Sequence, residues 1–474
     1  MIEDYTGQRV TVMGLGRFGG GVGVTRFLAE RGADVRVTDT LPPEDLKDSV
    51  AQLADLEAKG VVSYRLGGHN VSDFTTCDLL VVNPAVKPGN RFVRAARAAG
   101  VPVTSEIRLV VKHLPNRLRT IGVTGSAGKS TTTAMIAHIL RKVLGQEGET
   151  PLGEEGVVPR RQDAKAPRRE VDGPGVWMGG NIGGSLLPFV ELIRDDDWVV
   201  LELSSFMLEG LREDEWSPHV AVITNISPNH LDWHGSMENY VAAKQALCAF
   251  QGEADWAVVP QALREQLKVL AKGWGPPFEI HGEPRPSGFS IPGEHNLENA
   301  WVAGHAVYFG QGTNVLLGLS MLTEFSGLPH RLEYVGEFPG DGGVKCYNDS
   351  KSTTPEAAAL AIDSFDPGAV RIILGGYDKG SDFGELAELA AQCCVGVYTI
   401  GATGSAIGEL IPGAVRCGTL DVAVGRALGD ARAGEVLVLS PGCASWDQFA
   451  NYEERGARFI ELVKAWGETQ KPTD

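Results

Sequence analysis

The chain has 474 residues, 43% of them hydrophobic and 22% charged, the make-up of a globular enzyme too long for one core. Two to four domains are expected. A formal charge of −17 and a pI near 5.1 argue against a nucleic-acid binder, because the phosphate backbone would be repelled.

The seven cysteines show no CxxC spacing, which fits reduced thiols better than a disulfide frame or a zinc site. No apolar run is long enough to span a bilayer. The acidic opening "MIEDYTGQRV" lacks the basic and apolar regions of a signal peptide, so a cytoplasmic protein is expected.

In chain order, "RVTVMG", "DVRVTD" and "DLLVVN" read as strands of a first α/β domain. After the first of them comes "GLGRFG", a GxGxxG with Gly14, Gly16 and Gly19. Asp39 closes the next strand, twenty residues past Gly19. Strand, glycine loop and acid together predict nucleotide binding, but the spacing does not separate a dinucleotide from another nucleoside diphosphate.

A second set of strands is predicted at "TIGVTG", "DWVVLEL", "HVAVITN" and "DWAVVP". The first leads into "TGSAGKSTTT", whose glycines and Lys129 suit a phosphate. The strict phosphate-loop pattern asks for glycine at position 123, where Val123 stands, with Gly122 and Gly125 on either side. Met135, Ile136, Ile139, Leu140 and Val143 then recur at helical spacing, so the loop opens a helix. Gly145–Gly175 mixes charges with Gly and Pro without a period and reads as a loosely ordered surface insertion.

Glu202 falls in the apolar strand "LELSSF", where an acid needs a partner; a salt bridge and a metal ion both remain open. "NHLDWHGSMENYVAAK" adds His230, Asp232, His234 and Lys244. A third group of strands, "VRIILGG", "GVYTIG" and "EVLVLSPG", completes an α/β chain with mainly parallel sheets.

TGSAGKSTT, GGNIG, LELSSF, NHLDWH with Lys244, GEHNLENA, LPHRLE, NDSKST and GGYDKG occur together in the order seen in the Mur ligase family of peptidoglycan synthesis, which the chain resembles over nearly its whole length outside the insertion. The tail "LSPGCASWDQFANYEERGARF" is most similar to the family member that adds D-glutamate. The resemblance implies three domains: a Rossmann-like UDP-substrate domain over 1–108, a central P-loop ATPase domain over 109–327, and a C-terminal Rossmann-like amino-acid domain over 328–474. It implies that the first glycine loop holds UDP, with no nicotinamide required. It also implies a reaction of ATP, UDP-N-acetylmuramoyl-L-alanine and D-glutamate through an acyl phosphate.

The residue roles come from the same resemblance. Lys129, with His230 and Lys244, would be catalytic, and Gly125, Gly128, Ser130 and Thr131 would complete the phosphate site. Ser130 (or Thr131) and Glu202 would hold a first Mg²⁺, and His230 with a carbamylated Lys244 a second. Asn296 and Asn299 would approach adenine, and Arg331 and Asp349 would contact ATP. Gly14, Leu15, Gly16, Asp39 and Thr40 would meet the uridine diphosphate, with Asn181 and Ser204 placing the rest of that substrate. Lys351, Thr353, Lys379, Ser445 and Tyr452 are the D-glutamate candidates, since a dicarboxylate needs placed cations in an acidic protein. A monomer is expected.

The chain departs from the family pattern at Ala127 and Thr354 (commonly Asn), Asn229 (commonly Asp), Met207 (commonly Gln) and Tyr452 (commonly Phe). None of these removes Lys129, Glu202, His230 or Lys244.

Overall fold

A computed structural model of the chain describes residues 4–16, 19–87, 89–146, 173–267, 285–338, 343–377 and 380–469. Most of the Gly145–Gly175 segment, and Lys379 among the site candidates, lie outside the described residues. The chain forms two compact units, Met1–Pro286 with Asn299–Leu322, and Ser287–Glu298 with Thr323–Asp474.

The first unit carries two sheets. In the first sheet β1 (Arg9–Met13), β2 (Asp34–Thr38), β3 (Val62–Arg65), β4 (Leu79–Val82) and β5 (Val103–Thr104) run parallel in the order β3-β2-β1-β4-β5. The order reverses between β1 and β4, which opens a crevice at their carboxyl ends, where α/β sheets bind ligands. Gly14 follows β1 and Asn83 follows β4, so both chains turn out of the sheet at that crevice.

The second sheet holds β6 (Thr120–Thr124), β7 (Val176–Gly180), β8 (Trp198–Glu202), β9 (Val220–Ile223) and β10 (Trp256–Val258), ordered β10-β9-β6-β8-β7 and again parallel. Every residue of β6, β8 and β9 is buried, as expected of strands covered on both faces. Glu202 ends β8 inside that apolar sheet.

The two sheets share one apolar core. Val10 and Val35 of the first and Val199 and Leu201 of the second belong to a single buried cluster. Ile107 and Val110 of the helix Glu106–His113, with Leu187 and Val190, are part of it as well.

The second unit contains β11 (Glu333–Phe338), β12 (Val344–Asn348), β13 (Val370–Leu374), β14 (Cys394–Ile400), β15 (Val415–Gly418) and β16 (Val436–Leu439) in the order β11-β12-β16-β13-β14-β15. Only the edge strand β11 is antiparallel. This is the predicted α/β class with mainly parallel sheets, plus strands too short or too polar to stand out in the sequence. Among the described residues no helix is long and apolar enough to cross a membrane.

The first glycine loop is held against the helix Gly20–Ala29 by close backbone packing. A Cβ on Gly21 would lie 2.2 Å from the Leu15 carbonyl oxygen, so only glycine fits there. Gly21→Ala is expected to destabilise the first unit by about 1–3 kcal/mol through overpacking. Chemical denaturation followed by tryptophan fluorescence checks this, and an unchanged midpoint would show that the loop shifts freely.

Candidate active site

The phosphate loop leaves the buried end of β6 and enters the helix Lys129–Val143 through Gly128, whose φ of 77° is the left-handed conformation glycine tolerates. A Cβ there would also strike Asn299 Oδ1 at 2.4 Å. The stretch after β9 fixes the loop from one side. Thr224 Oγ1 donates to Ala127 O at 2.7 Å, Ala127 N donates to Asn225 Oδ1 at 2.8 Å, and Ser126 Oγ donates to Ser227 O at 2.9 Å. Lys129 Nζ donates to Gly125 O and Ser126 O, both at 3.0 Å. Ser130 and Thr131 stand half-buried in the first turn, where helix N–H groups favour an anion.

Beside the loop lies Glu202, which is 1% exposed. Its Oε1 accepts from Asn181 Nδ2 at 2.9 Å, and its backbone carbonyl accepts from Asn181 N at 2.9 Å. Its Oε2 is buried with no hydrogen-bond partner among the described residues. A carboxylate oxygen kept from water without a donor suits a cation. Among the described residues no three His, Cys, Asp or Glu side chains gather as a metal-holding group. A single buried carboxylate oxygen fits Mg²⁺, which keeps several waters and takes few protein ligands.

Lys244, on the helix Met237–Ala249, is also 1% exposed. Its Nζ donates to Gly125 O at 2.8 Å and to Thr124 Oγ1 at 3.4 Å, and lies 4.6 Å from the centre of the Tyr240 ring. Burial, reinforced by the nearby Lys129 charge and opposed by Glu202, pushes the Lys244 ammonium down to about 7. His230 caps the one-turn helix Leu231–His234 at a φ of 53°, unusual for a residue with a side chain. Burial and then the Lys129 charge lower its pKa. Ser204 does not point freely into the site: its Oγ caps the helix Ser205–Glu213 by accepting from Met207 N at 3.3 Å.

The first glycine loop borders a cavity of about 820 Å³ at the crevice of the first sheet. Gly14, Gly16, Asp39 and Thr40 line it. Asp39 is buried, and its oxygens accept backbone N–H groups from Leu15 (2.9 Å), Gly16 (3.1 Å) and Leu41 (2.9 Å). Its carboxylate thus braces the loop while lining the cavity. His69, Asn83, Lys87 and Trp233 also line it, and none of them was given a role from the sequence, although Trp233 lies within NHLDWH. Trp233 comes from the helix that His230 caps, and only a three-dimensional fold brings it to the first sheet.

In the second unit Asp349 follows β12 and is buried. It accepts from Leu332 N at 3.2 Å and from Ser440 Oγ at 2.7 Å. Burial pushes its carboxyl up to about 7, although those hydrogen bonds and the Arg331 charge pull the other way. Lys351 Nζ donates to Tyr452 OH at 2.6 Å and stands 4.6 Å from the centre of that ring. Thr353 is half-buried and Ser445 buried. Thr354 is an N-cap, its Oγ1 accepting from Ala357 N at 3.4 Å. Asn296 and Asn299 share the helix Glu294–Gln311; Asn299 Oδ1 accepts from Thr132 Oγ1 at 3.2 Å, and Asn296 Nδ2 donates to Pro292 O at 2.7 Å.

Arg455 was not singled out in the sequence. Its guanidinium is buried, donates to Ser350 Oγ, Ser350 O and Cys443 O at 2.8–3.0 Å, and so ties together the NDSKST and SPGCAS loops. An arginine within "EERG" reads as a solvated helix residue until its depth is known.

Residues 8–105 match the family described as Mur ligase MurD-like, N-terminal domain; residues 180–275 match Mur ligase middle domain; residues 330–443 match Mur ligase, glutamate ligase domain. The chain is 35% identical to a UDP-N-acetylmuramoylalanine–D-glutamate ligase of Acidobacterium capsulatum, covering 98% of this chain and 97% of that one. It is 36% identical to the enzyme of that name from Pelotomaculum thermopropionicum, covering 98% and 99%. Among solved structures, MurF ligase from Thermotoga maritima in complex with ADP shares the fold, with a TM-score of 0.55 and 16% identity over 83% of this chain and 90% of that one.

Asp349 sets a pH dependence with a definite sign. Its ordinary value of 3.8 rises to about 7 on folding, so between those values the folded chain keeps a proton that the unfolded chain has lost. Stability is therefore lost as pH rises through that window. Asp349→Asn is expected to melt closer to, or above, the wild type at about pH 8 than at about pH 5, measured on ligand-free protein. A difference in melting temperature that is the same at both pH values would refute it.

Proposed function

The chain belongs to the Mur ligase family, and on that premise we propose that it is an ATP-dependent ligase joining D-glutamate to UDP-N-acetylmuramoyl-L-alanine in peptidoglycan precursor synthesis, with release of ADP and phosphate. The observation that carries this reading is the phosphate loop flanked by two lysines and by a buried carboxylate with one oxygen free. Full-length likeness to D-glutamate ligases selects the amino acid.

A carboxylate resists attack by an amine, because its charge and oxide leaving group oppose substitution. Transfer of the γ-phosphoryl group of ATP to the L-alanine carboxylate makes an acyl phosphate. The D-glutamate amine adds to its carbonyl carbon, and the tetrahedral intermediate expels phosphate to leave the amide. The protein's part is positioning and charge stabilisation. Lys129 would leave its two loop carbonyls for the phosphates, with Gly125, Gly128, Ser130 and Thr131 around them. Ser130 and Glu202 would hold a first Mg²⁺, and His230 with a carbamylated Lys244 a second; the ions would supply neutralisation of phosphate charge.

The first cavity would take the uridine diphosphate between the glycine loop, Asp39 and Thr40. Asn181, tied to Glu202, would carry that substrate toward the phosphate loop. Asn296, Asn299, Arg331 and Asp349 are the proposed ATP contacts. Lys351, Thr353, Lys379, Ser445 and Tyr452 form the proposed D-glutamate pocket, where the Tyr452 hydroxyl that a phenylalanine would lack already holds Lys351. A cytoplasmic monomer with domain boundaries near Arg108 and Gly327 completes the reading.

Phosphate release from ATP with UDP-N-acetylmuramoyl-L-alanine and a panel of D- and L-amino acids tests it. D-glutamate is expected to be preferred strongly over L-glutamate and D-glutamine, because two carboxylates need fixed cations and inversion at Cα misdirects the amine. Equal use of D-glutamate and D-glutamine would sink the two-carboxylate pocket.

Lys244 adds a second test. An ammonium repels Mg²⁺, whereas the neutral amine reacts with CO₂ to give a carbamate, an oxygen donor of the hard type. Burial favours the neutral amine that this reaction needs. Lys244→Ala is expected to lose most activity and to regain part of it with a short carboxylic acid, but not with chloride at matched ionic strength. Full activity without added acid would reject the carbamate.

A further inference from the structure

We infer that Trp233 is both a ligand-contacting wall of the first-sheet cavity and a positioning residue for the phosphate loop, so that filling the cavity tightens nucleotide binding at the loop. The inference rests on the reading above, in which the cavity takes the UDP substrate and the loop takes ATP.

The observations form a contiguous set within the first unit. Trp233 lines the cavity, and its Nε1 donates to Ala85 O at 3.3 Å. Lys87, another lining residue, reaches across from the first sheet and donates to Asp232 O at 2.8 Å. The one-turn helix Leu231–His234 is thus pinned to the cavity wall at two successive residues. Phe206 packs against His230, Trp233 and His234, with ring centres 4.9, 4.8 and 5.7 Å away, and is stacked nearly parallel on His234. His234 is buried, hydrogen-bonded to Ser205 Oγ at 2.9 Å, and edge-on to Tyr240 at 5.3 Å. The Tyr240 hydroxyl lies 2.9 Å from Ser126 Oγ, within the phosphate loop.

One row of rings therefore runs from the cavity wall to the phosphate loop, and His230 hangs from its middle. Residues 227–232, by contrast, are exposed, and His230 holds a left-handed conformation that a side chain disfavours. A ligand against Trp233 orders this turn, and the second ligand then binds without bearing that ordering cost. By reciprocity, nucleotide at the loop tightens the UDP substrate by the same factor.

The test is the Kd of a non-hydrolysable ATP analogue with Mg²⁺, measured on the full chain without and with saturating UDP-N-acetylmuramoyl-L-alanine. In the wild type the substrate is expected to tighten the analogue by about fivefold or more, the lower end of usual coupling between sites. Trp233→Ala is expected to bring that ratio close to one, and Trp233→Phe to keep part of it. Phe206→Leu, which alters no lining residue, is expected to lower the ratio while the UDP substrate still binds. A wild-type ratio of one, or a ratio left intact in Phe206→Leu, overturns the inference. Turnover with D-glutamate alongside a ratio of one would remove the coupling alone; failure to turn over with any amino acid would remove the ligase reading.

Discussion

The carbonyl oxygen of Gly125 accepts from two lysines, Lys129 at 3.0 Å and Lys244 at 2.8 Å, and the surrounding site is arranged about that shared acceptor. Two ammonium groups converging on one neutral oxygen repel each other, and the more buried of them bears the consequence. Lys244 sits inside protein with only Glu202 to offset its charge, so its proton is loosely held. Only glycine fits at position 125: a Cβ would fall 1.9 Å from Thr224 Oγ1, which itself anchors the loop. Positive charge is thus concentrated at the end of β6 in a chain whose formal charge is −17. An anion arriving there meets local positive charge within an acidic chain.

The legible part of the fold was the part under the strongest sterical rule. β1, β6, β8, β9, β13 and β16 are apolar runs buried on both faces, and such runs declare themselves without alignment. β3 and β12 did not, because "VSYR" has one fully buried position among half-buried ones and "VKCYN" mixes exposed and buried positions. β7 hid in "VWMGGN", whose glycines look like a loop, yet Gly179 is pressed against Leu186 and Gly180 against the Glu202 carbonyl. Strand assignment there depends on a neighbour twenty-two residues away, Trp198 against Val176, and no local window contains it.

The site followed a similar division. Motif residues of the phosphate loop were legible together, since a strand–loop–helix spacing gathers them at one helix N-terminus. Residues brought in from a distance in sequence were given no place there: Asn83, Lys87 and Trp233 at the cavity, the last although it lies within NHLDWH, and Arg455 against the SPGCAS loop. Asp39 shows the limit from the other side. Its position suggested a ligand contact, and the backbone N–H groups of Leu15, Gly16 and Leu41 already occupy it, a use that spacing cannot reveal.

The apolar cluster common to the first two sheets has a consequence for how this chain can be divided. A cut near residue 108 falls within the helix Glu106–His113, whose Ile107, Leu109 and Val110 are at most 3% exposed. Severed there, both fragments would present a raw apolar face to water and would tend to aggregate or to find each other again. Co-expressed halves should therefore reassemble without a linker, while either half alone should be insoluble. For anyone grafting or shuffling such chains, the boundary near Arg108 marks a change of sheet and not a place to cut, and the first sheet travels with the second.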